Sequence, residues 1–223
     1  MIAMILAAGR GERLRPLTDS TPKPLVEVAG RTLLGRHLEH LAAAGFTRAV
    51  INVSHLAQSI VAHFGDGHRL GMEIAWSHEA VPLESAGGIA QARGLLGNEP
   101  FLLVNADIWC DYAFSDLHGF DLGERLSHLV LAPNPSQHPA GDFSLAGNVV
   151  GNAPSPRYTY TGIAVISPRL VASVAAGSKA PLAPLWRAAA ERGKVTGELY
   201  EGNWSDVGTP ERLAALRARL KNP

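Results

Sequence analysis

An apolar run of strand length that leads into a glycine-rich, cationic loop is the feature that most constrains this chain. Residues 1–6 are apolar, and Gly9 and Gly11 follow them closely. Glycine adopts backbone conformations that let main-chain N–H groups converge on an anion. The same loop carries the cations Arg13, Arg15 and Lys23. A strand that leads into such a loop indicates a binding site for a polyphosphate.

Two common phosphate-binding motifs do not fit this loop. The Walker A spacing, Gly-x4-Gly-Lys-Ser/Thr, occurs nowhere in the sequence. The dinucleotide fingerprint needs a third glycine three residues after Gly11, where Leu14 stands. Three prolines, Pro16, Pro22 and Pro24, disfavour a continuous helix through the segment. We therefore expect an extended loop of about fifteen residues, a length that is usually functional in a compact domain.

Composition limits the class of protein and its partners. Of the 223 residues 46% are hydrophobic and 18% are charged, which is typical of a globular protein, and the net charge of zero argues against a nucleic-acid partner. The longest apolar runs have strand length, which predicts no membrane span. The N-terminus lacks the features of a signal peptide, so we expect a cytoplasmic protein. Cys110 is the only cysteine and can form no intramolecular disulfide.

The first half of the chain alternates short apolar runs with helical spacing. The predicted strands are residues 2–6, 49–53, 72–76 and 101–105, and the predicted helices are residues 33–44, 56–64 and 89–96. This order predicts an α/β, Rossmann-like fold with a mostly parallel sheet and helices on both faces. Ligands bind beyond the carboxyl ends of strands in such sheets. We expect three segments to meet at one edge of the sheet: the glycine-rich loop that follows residues 1–6 (the glycine loop), residues 77–79 and residues 106–107.

The pattern changes after Asp107. The predicted elements are strands at residues 129–132 and 161–166 and helices at residues 182–192 and 213–220. Residues 133–156 are rich in Pro, Gly, Asn and Ser and predict a short hairpin, at residues 143–145 and 148–150, as a small sugar-binding insertion or lid. Because no repeat or linker divides the chain, we expect one catalytic domain over residues 1–223.

The glycine loop resembles the signature of the sugar-1-phosphate nucleotidyltransferases. Members read Leu-Ala-Ala-Gly-x-Gly-(Thr)-Arg-Leu-x-Pro-Leu-Thr and then Pro-Lys-Pro-Leu, and residues 6–25 match at nearly every position. Glu12 stands where many members carry Thr or Ser. The resemblance continues to Trp-Ser-Asp-Val-Gly-Thr-Pro-Glu at residues 204–211, so it spans essentially the whole chain.

The resemblance implies transfer of a nucleotidyl group from a nucleoside triphosphate to a sugar 1-phosphate, with pyrophosphate leaving. It implies that Arg13 binds the triphosphate and that Lys23 bridges the α-phosphate and the sugar phosphate. Both roles suit the chemistry, because a guanidinium binds phosphoryl oxygens bidentately and an ammonium is a movable point charge. A basic surface loop with solvated side chains is the structural alternative.

The nucleotide would contact two glycine-containing segments. One is the start of the signature, Leu6, Ala7, Ala8, Gly9 and Gly11. The other comprises Ser85, Gly87 and Gly88, in a segment that resembles the Gly-Thr-Ala/Gly-Gly turn that relatives fold against the base. In the structural alternative, Ser85 caps a helix.

The implied metal is Mg²⁺, which takes one or two carboxylates together with phosphate oxygens. Asp107 follows a buried strand in the position of the family's metal aspartate, although Ala106 replaces the usual glycine before it. Asp206 matches the second metal aspartate of the family. Its segment also reads as the start of a helix, with Thr209 as the cap and Pro210 at the first position. Both interpretations can hold together.

The sugar site is the least defined part of the sequence. The resemblance implies contacts from Asn105, Asp142, Thr161 and Gly162. Residues 142–157 lack the Glu-Lys-Pro with which many relatives hold the sugar and its phosphate, which leaves the second phosphate-binding cation unassigned. The short hairpin predicts an open pocket that accepts a bulky substituent. In this respect the chain most resembles the N-acetylmuramate-1-phosphate uridylyltransferases of peptidoglycan recycling.

Other functions stay open at this point. Within the family they are mannose-1-phosphate guanylyltransferase and glucose-1-phosphate thymidylyl- or uridylyltransferase. In another class the chain is an inactive regulatory subunit that binds a nucleotide sugar, but the presence of Arg13, Lys23, Asp107 and Asp206 together argues against this. The expected partners are small-molecule substrates, with the protein as a monomer or small homo-oligomer. The nine histidines show no zinc spacing.

Overall fold

A computed structural model describes residues 1–221, which form thirteen β-strands and six α-helices. The strands are β1 (Ala3–Leu6), β2 (Glu27–Val28), β3 (Arg31–Thr32), β4 (Arg48–Val53), β5 (Glu73–His78), β6 (Phe101–Asn105), β7 (Ile108–Cys110), β8 (Ser127–Ala132), β9 (Ser144–Ala146), β10 (Val149–Gly151), β11 (Thr159–Ile166), β12 (Val195–Leu199) and β13 (Trp204–Asp206). The helices are α1 (Leu33–Ala43), α2 (Ala57–Phe64), α3 (Glu84–Gln91), α4 (Arg93–Leu96), α5 (Ala183–Glu191) and α6 (Pro210–Lys221).

Nine of the strands form one sheet in the order β5-β4-β1-β6-β11-β8-β12-β10-β9. The first four of these are parallel to one another. β11 runs antiparallel to both β6 and β8, and β12 is parallel to β8. The predicted α/β sheet is confirmed, with its parallel half in the first part of the chain and a mixed half in the second.

Helices cover both faces of the sheet. The side chains of the strands alternate between the two faces, and on each face they form an apolar cluster with the helices. In β1, Ala3 and Ile5 pack on the side of α1 and α2, whereas Met4 packs on the side of α3 and α5. All three side chains are fully buried. A strand whose two faces are both buried reads as a continuous apolar run, and this is why residues 1–6 give so clear a signal.

The glycine loop is compact where the sequence predicts an extended segment. It contains three short 3-10 turns, Glu12–Leu14, Leu17–Asp19 and Lys23–Leu25. The hydroxyl of Thr18 donates to the carbonyl of Gly11 across 2.8 Å and ties the first turn to the second. The prolines therefore exclude a continuous helix, as predicted, but they permit single turns.

The predicted hairpin forms the outer edge of the main sheet. β9 and β10 pair with each other, and Val149 of β10 pairs with Thr196 of β12. Phe143 and Val150 are buried with Trp186 in the apolar cluster on the side of the sheet that α3 and α5 cover. Among the described residues, no residue of β9 or β10 lines the cavities considered below. The predicted hairpin is therefore present, and its apolar side chains complete the core at the sheet edge. Its binding of the sugar stays a prediction.

Two further expectations concern membranes and the cysteine. Within residues 1–221, no helix combines the length and the apolar character needed to cross a bilayer. Cys110 is buried in β7, and burial raises the pKa of its thiol to about 11. The thiol therefore stays protonated and acts as a packing group.

Candidate active site

Two adjoining cavities lie at the carboxyl edge of the parallel strands. The larger, of about 930 Å³, is bordered by the glycine loop after β1, Glu79 after β5 and Asp107 after β6. The smaller, of about 320 Å³, lies towards β11 and β13. Arg13, Asn105 and Asp107 border both cavities. The predicted meeting of the three segments at one edge is confirmed, and these shared residues mark the junction.

The start of the glycine loop forms one wall of the large cavity. The residues that line it include all five predicted there, Leu6, Ala7, Ala8, Gly9 and Gly11. Gly9 has open space where a Cβ would stand, and Gly11 has a φ of +65°. A Cβ on Gly11 would lie 2.9 Å from Thr18 Cγ2, so this position accepts only glycine without rearrangement.

Lys23 and Asp107 form an ion pair beside the junction. Lys23 Nζ lies 2.7 Å from Asp107 Oδ2, and the side chains are 10% and 39% exposed. Burial with a single carboxylate partner fixes the ammonium, which keeps further N–H donors for other acceptors. Arg15 differs, because it pairs with Asp19 on the exposed side of the loop and borders neither cavity.

A second cationic group surrounds Gly208. A Cβ on this glycine would lie 3.4 Å from Arg13 Nη2 and 2.8 Å from Arg212 Nη1. Arg212 in turn donates to Asp206 Oδ2. Arg212 lines the small cavity and was not predicted from the sequence. Its one signal in the sequence is its position directly after the Thr-Pro-Glu of the matched motif, on the first turn of α6.

The two candidate metal ligands are brought together by the pairing of β13 with β7, which begins directly after Asp107. Asp206 of β13 pairs with Ile108 of β7, and Val207 N donates to the carbonyl of Asp107 across 2.8 Å. Both aspartates border the small cavity. The other reading of Asp206 also holds, since α6 starts at Pro210 and Thr209 Oγ1 accepts from the N–H of Arg212 at 3.4 Å.

These carboxylates fit the requirements of Mg²⁺. Lys23 occupies only Oδ2 of Asp107. The Asp206 side chain is 28% exposed and accepts from Arg212 at Oδ2 and from Gln137 at Oδ1 across 3.4 Å, so two side chains that line the cavity hold its carboxylate there. Two partly exposed carboxylates at the mouth of a polar cavity are the donor set with which Mg²⁺ combines phosphate oxygens and waters. Among residues 1–221, no group of three or more His, Cys, Asp or Glu forms an all-protein metal cage.

A buried network supports the far end of the large cavity. Glu79 accepts hydrogen bonds from Asn52 Nδ2 at 2.6 Å and from the N–H of Leu83 at 2.8 Å. Asn52 Oδ1 accepts from the N–H of Ala7 at 2.8 Å. The network therefore joins the ends of β1, β4 and β5 and fixes the turn before α3. Glu79 and Asn52 were not predicted, because their partners are distant in sequence.

The predicted base-binding residues divide into two groups. Ser85 lines the large cavity, but it is not the helix cap, because α3 starts at Glu84 and Ser85 Oγ accepts from the N–H of Leu182 at 2.9 Å. Gly87 and Gly88 line neither cavity. A Cβ on Gly87 would overlap the carbonyl of Ser178, and one on Gly88 would lie 2.6 Å from Asn52 Nδ2. These two glycines permit close packing behind the cavity wall, and their contact with the base stays a prediction.

Three of the four residues expected to contact the sugar lie at the small cavity. Asn105, Thr161 and Gly162 line the small cavity. The Thr161 hydroxyl, however, donates to the carbonyl of Val130 at 2.8 Å, so it completes the sheet. Gly162 has a φ of +90° and a Cβ there would lie 3.0 Å from Asn105.

Asp142 borders neither cavity. Its Oδ2 accepts from the N–H of Tyr160 at 2.8 Å, and its Oδ1 lies 3.1 Å from His138 Nε2. Both oxygens of Asp142 therefore have partners within the protein, and its contact with the sugar stays a prediction. Gln137, His138 and Trp204 line the small cavity in its place.

Comparison with known proteins gives a consistent result. Residues 2–121 match the sequence family described as Nucleotidyl transferase. The chain is 46% identical to the N-acetylmuramate alpha-1-phosphate uridylyltransferase of Neisseria meningitidis, covering 98% of this chain and 97% of that protein. It is 35% identical to the protein of the same name from Caulobacter vibrioides, covering 98% and 96% of the two chains.

The fold is similar to that of a solved structure from Bacillus anthracis that carries the assignment glucose-1-phosphate thymidylyltransferase. The TM-score is 0.88 over 100% of this chain and 96% of the other, with 18% sequence identity. At this identity the likeness bears on the fold alone.

Proposed function

The chain belongs to the nucleotidyl transferase family, and from this premise we propose that it joins UTP to N-acetylmuramic acid 1-phosphate and releases pyrophosphate. The observation that carries the proposal is the pair of cavities that meet at Arg13 and Asp107. A cavity for each substrate with a cationic junction between them is what a transfer between two anionic molecules requires. The near-full-length similarity to two N-acetylmuramate alpha-1-phosphate uridylyltransferases supports the choice of substrates.

The reaction is an in-line displacement at the α-phosphorus. An oxygen of the sugar phosphate attacks, and the bond to pyrophosphate breaks, so that no covalent enzyme intermediate is needed. The large cavity would hold the triphosphate against the glycine loop, and the small cavity would hold the sugar. The α-phosphate then lies at the junction. The protein's main contribution is position, since it holds two mutually repelling anions in contact.

The cations at the junction neutralise the charge that builds up there. Lys23 is fixed by Asp107 and keeps N–H donors for phosphoryl oxygens. Arg13 borders both cavities and can reach the phosphates of both substrates. Arg212 lines the small cavity, and we assign it as the second phosphate-binding cation, which the sequence left open. Preorganised charges of this kind stabilise a transition state without rearranging.

Asp107 and Asp206 would hold Mg²⁺ at the junction. When bound, the ion would neutralise phosphate charge and polarise the reacting phosphoryl group. Without it, the two carboxylates would face the phosphates and repel them, which is why Lys23 and Arg212 are each paired with one of them. The location of this reaction in the cytoplasm and in peptidoglycan recycling belongs to the same proposal.

The sugar cavity accounts for the expected preference for a large substituent. The segment with Gln137 and His138 borders it, and the β9–β10 hairpin lies elsewhere, at the sheet edge. A polar wall that is not closed by a hairpin leaves room for the lactyl group of N-acetylmuramic acid.

We expect N-acetylmuramic acid 1-phosphate to exceed N-acetylglucosamine 1-phosphate in kcat/KM by at least about tenfold with UTP. The two sugars differ only in the lactyl ether, so the ratio isolates contacts to that group, and polar contacts discriminate strongly against analogues that lack their partner. The measurement is pyrophosphate release at several concentrations of each sugar phosphate. Equal values, or a larger value for N-acetylglucosamine 1-phosphate, would overturn the choice of sugar and leave the transferase chemistry intact.

A further inference from the structure

Lys179 and Glu84 form a donor–acceptor pair on the rim of the large cavity. Lys179 Nζ lies 3.4 Å from Glu84 Oε1, and the side chains are 68% and 42% exposed. Both residues line the cavity, together with Val81, which is 60% exposed and is one of the most exposed large apolar residues of the described chain. The pair is therefore accessible to a ligand and lies beside an apolar surface.

The chain reaches this rim from the end of β5, whereas Asp107 follows β6. The order β5-β4-β1-β6 puts three strand spacings between the ends of these two strands. Neighbouring strands are about 4.8 Å apart, so the separation across the sheet is about 14 Å. A nucleotide whose phosphates lie at Lys23 and Asp107 would extend its base towards this rim.

Lys179 is held in position by its own backbone segment. The N–H of Ala180 donates to the carbonyl of Leu83 at 3.0 Å, and the carbonyl of Ala180 accepts from the N–H groups of Ala86 and Gly87 at 2.9 and 3.0 Å. These bonds join two segments that are almost a hundred residues apart. They occupy the N–H groups of Ala86 and Gly87, while the side chains of Lys179 and Glu84 stay exposed on the rim as contacts for a base.

Glu84 has a strained backbone. Its φ is +61°, in the left-handed region that favours glycine. A residue with a side chain is kept in such a conformation only when the surroundings enforce it, and such positions cluster at ligand sites. Glycine would adopt this conformation without strain, so the presence of glutamate indicates a role for its side chain.

We infer that Lys179 and Glu84 together select the base of the nucleotide by its pattern of donors and acceptors. The ammonium donates to a ring carbonyl, and the carboxylate accepts from the adjacent ring N–H. Uracil, thymine and guanine present this carbonyl and N–H side by side, whereas cytosine and adenine present an amino group beside an unprotonated nitrogen. The inference rests on the proposed function for the identity of the site and adds the residues that exclude CTP and ATP.

The test is the ratio of kcat/KM for UTP to that for CTP. We expect Lys179→Met to lower this ratio about tenfold, mainly through UTP, because a hydrogen bond from a charged donor is lost. Glu84→Gln should lower it as well, since an amide can donate to cytosine. Glu84→Gly removes the carboxylate and relieves the positive φ, so it reports on the side chain in a protein that folds without that strain. Lys194→Met is the matched control, because Lys194 lines neither cavity, and its ratio should equal that of the wild type.

The outcomes separate the inference from the function on which it rests. An unchanged UTP/CTP ratio in all three rim variants overturns the inference and leaves the uridylyl transfer standing. A wild-type preference for GTP over UTP overturns the proposed nucleotide, and the GTP/ATP ratio in the same variants then decides the inference. A wild-type preference for CTP or ATP contradicts the inference outright.

Discussion

Replacing Asp107 by asparagine is expected to lower kcat/KM by about 10³-fold or more while the protein stays folded. Asparagine keeps the shape of the side chain and can accept the hydrogen bond from Lys23, which now lies 2.7 Å from Asp107 Oδ2. It removes the negative charge that would bind Mg²⁺, and loss of metal-assisted charge stabilisation costs several kcal/mol in the transition state. Turnover is measured as pyrophosphate release over a series of Mg²⁺ concentrations, and circular dichroism checks the fold.

Asp206→Asn should give a loss of the same order, since Asp206 lies on the strand paired with β7 and borders the same cavity. Asp116→Asn is the matched control, because Asp116 is exposed and lines neither cavity. Near wild-type turnover of either cavity variant at ordinary Mg²⁺ concentrations would show that the residue concerned is not a metal ligand.

Lys23→Met is expected to lower kcat/KM by about 10²-fold or more, which is the typical cost of losing one preorganised charge-stabilising group. Methionine retains the apolar stem of the buried lysine, so the loss reports on the ammonium at the junction of the cavities. The variant also leaves Asp107 without its cation, and a measurement of unfolding by urea separates that effect from the loss of rate.

Arg13→Ala should be impaired to a similar degree, because its guanidinium borders both cavities. Arg15→Ala should retain near wild-type activity, since Arg15 pairs with Asp19 on the exposed side of the loop. Equal losses at the three positions would indicate a diffuse electrostatic patch and would contradict the specific roles assigned to Lys23 and Arg13.

The sequence predicted those parts of the fold that local pattern determines. The apolar strands β1, β4, β5 and β6 and the helices between them place the glycine loop and Asp107 at one edge, and the structure has this arrangement.

The strand β12 was not predicted, because Gly197 and its polar neighbours interrupt the apolar pattern. A Cβ on Gly197 would lie 2.7 Å from the carbonyl of Leu129, so glycine is needed here because of close packing against a strand almost seventy residues away in the sequence. The strands β7 and β13 were not predicted because each has only three residues, which is too short to show an alternating apolar pattern.

The sequence predicted those residues of the candidate site that stand in short motifs. Lys23, Arg13, Asp107 and Asp206 stand in motifs, and all of them line the cavities. Arg212 and Lys179 have no motif, and only the packing of α6 and of the segment before α5 brings them to the site. Asp142 is the opposite case, because it was predicted and borders neither cavity. A carboxylate in a polar loop resembles a ligand in sequence, but its hydrogen bond to Tyr160 appears only in three dimensions.

The measurement that tests the account most directly is a screen of the four ribonucleoside triphosphates and dTTP against three sugar 1-phosphates, those of N-acetylmuramic acid, mannose and glucose. Pyrophosphate is quantified, and the nucleotide sugar is identified by mass. The account predicts the highest kcat/KM for UTP with N-acetylmuramic acid 1-phosphate, with UDP-N-acetylmuramic acid and pyrophosphate formed in equal amounts and only when Mg²⁺ is present. A higher kcat/KM for GTP with mannose 1-phosphate, or for dTTP with glucose 1-phosphate, would contradict it.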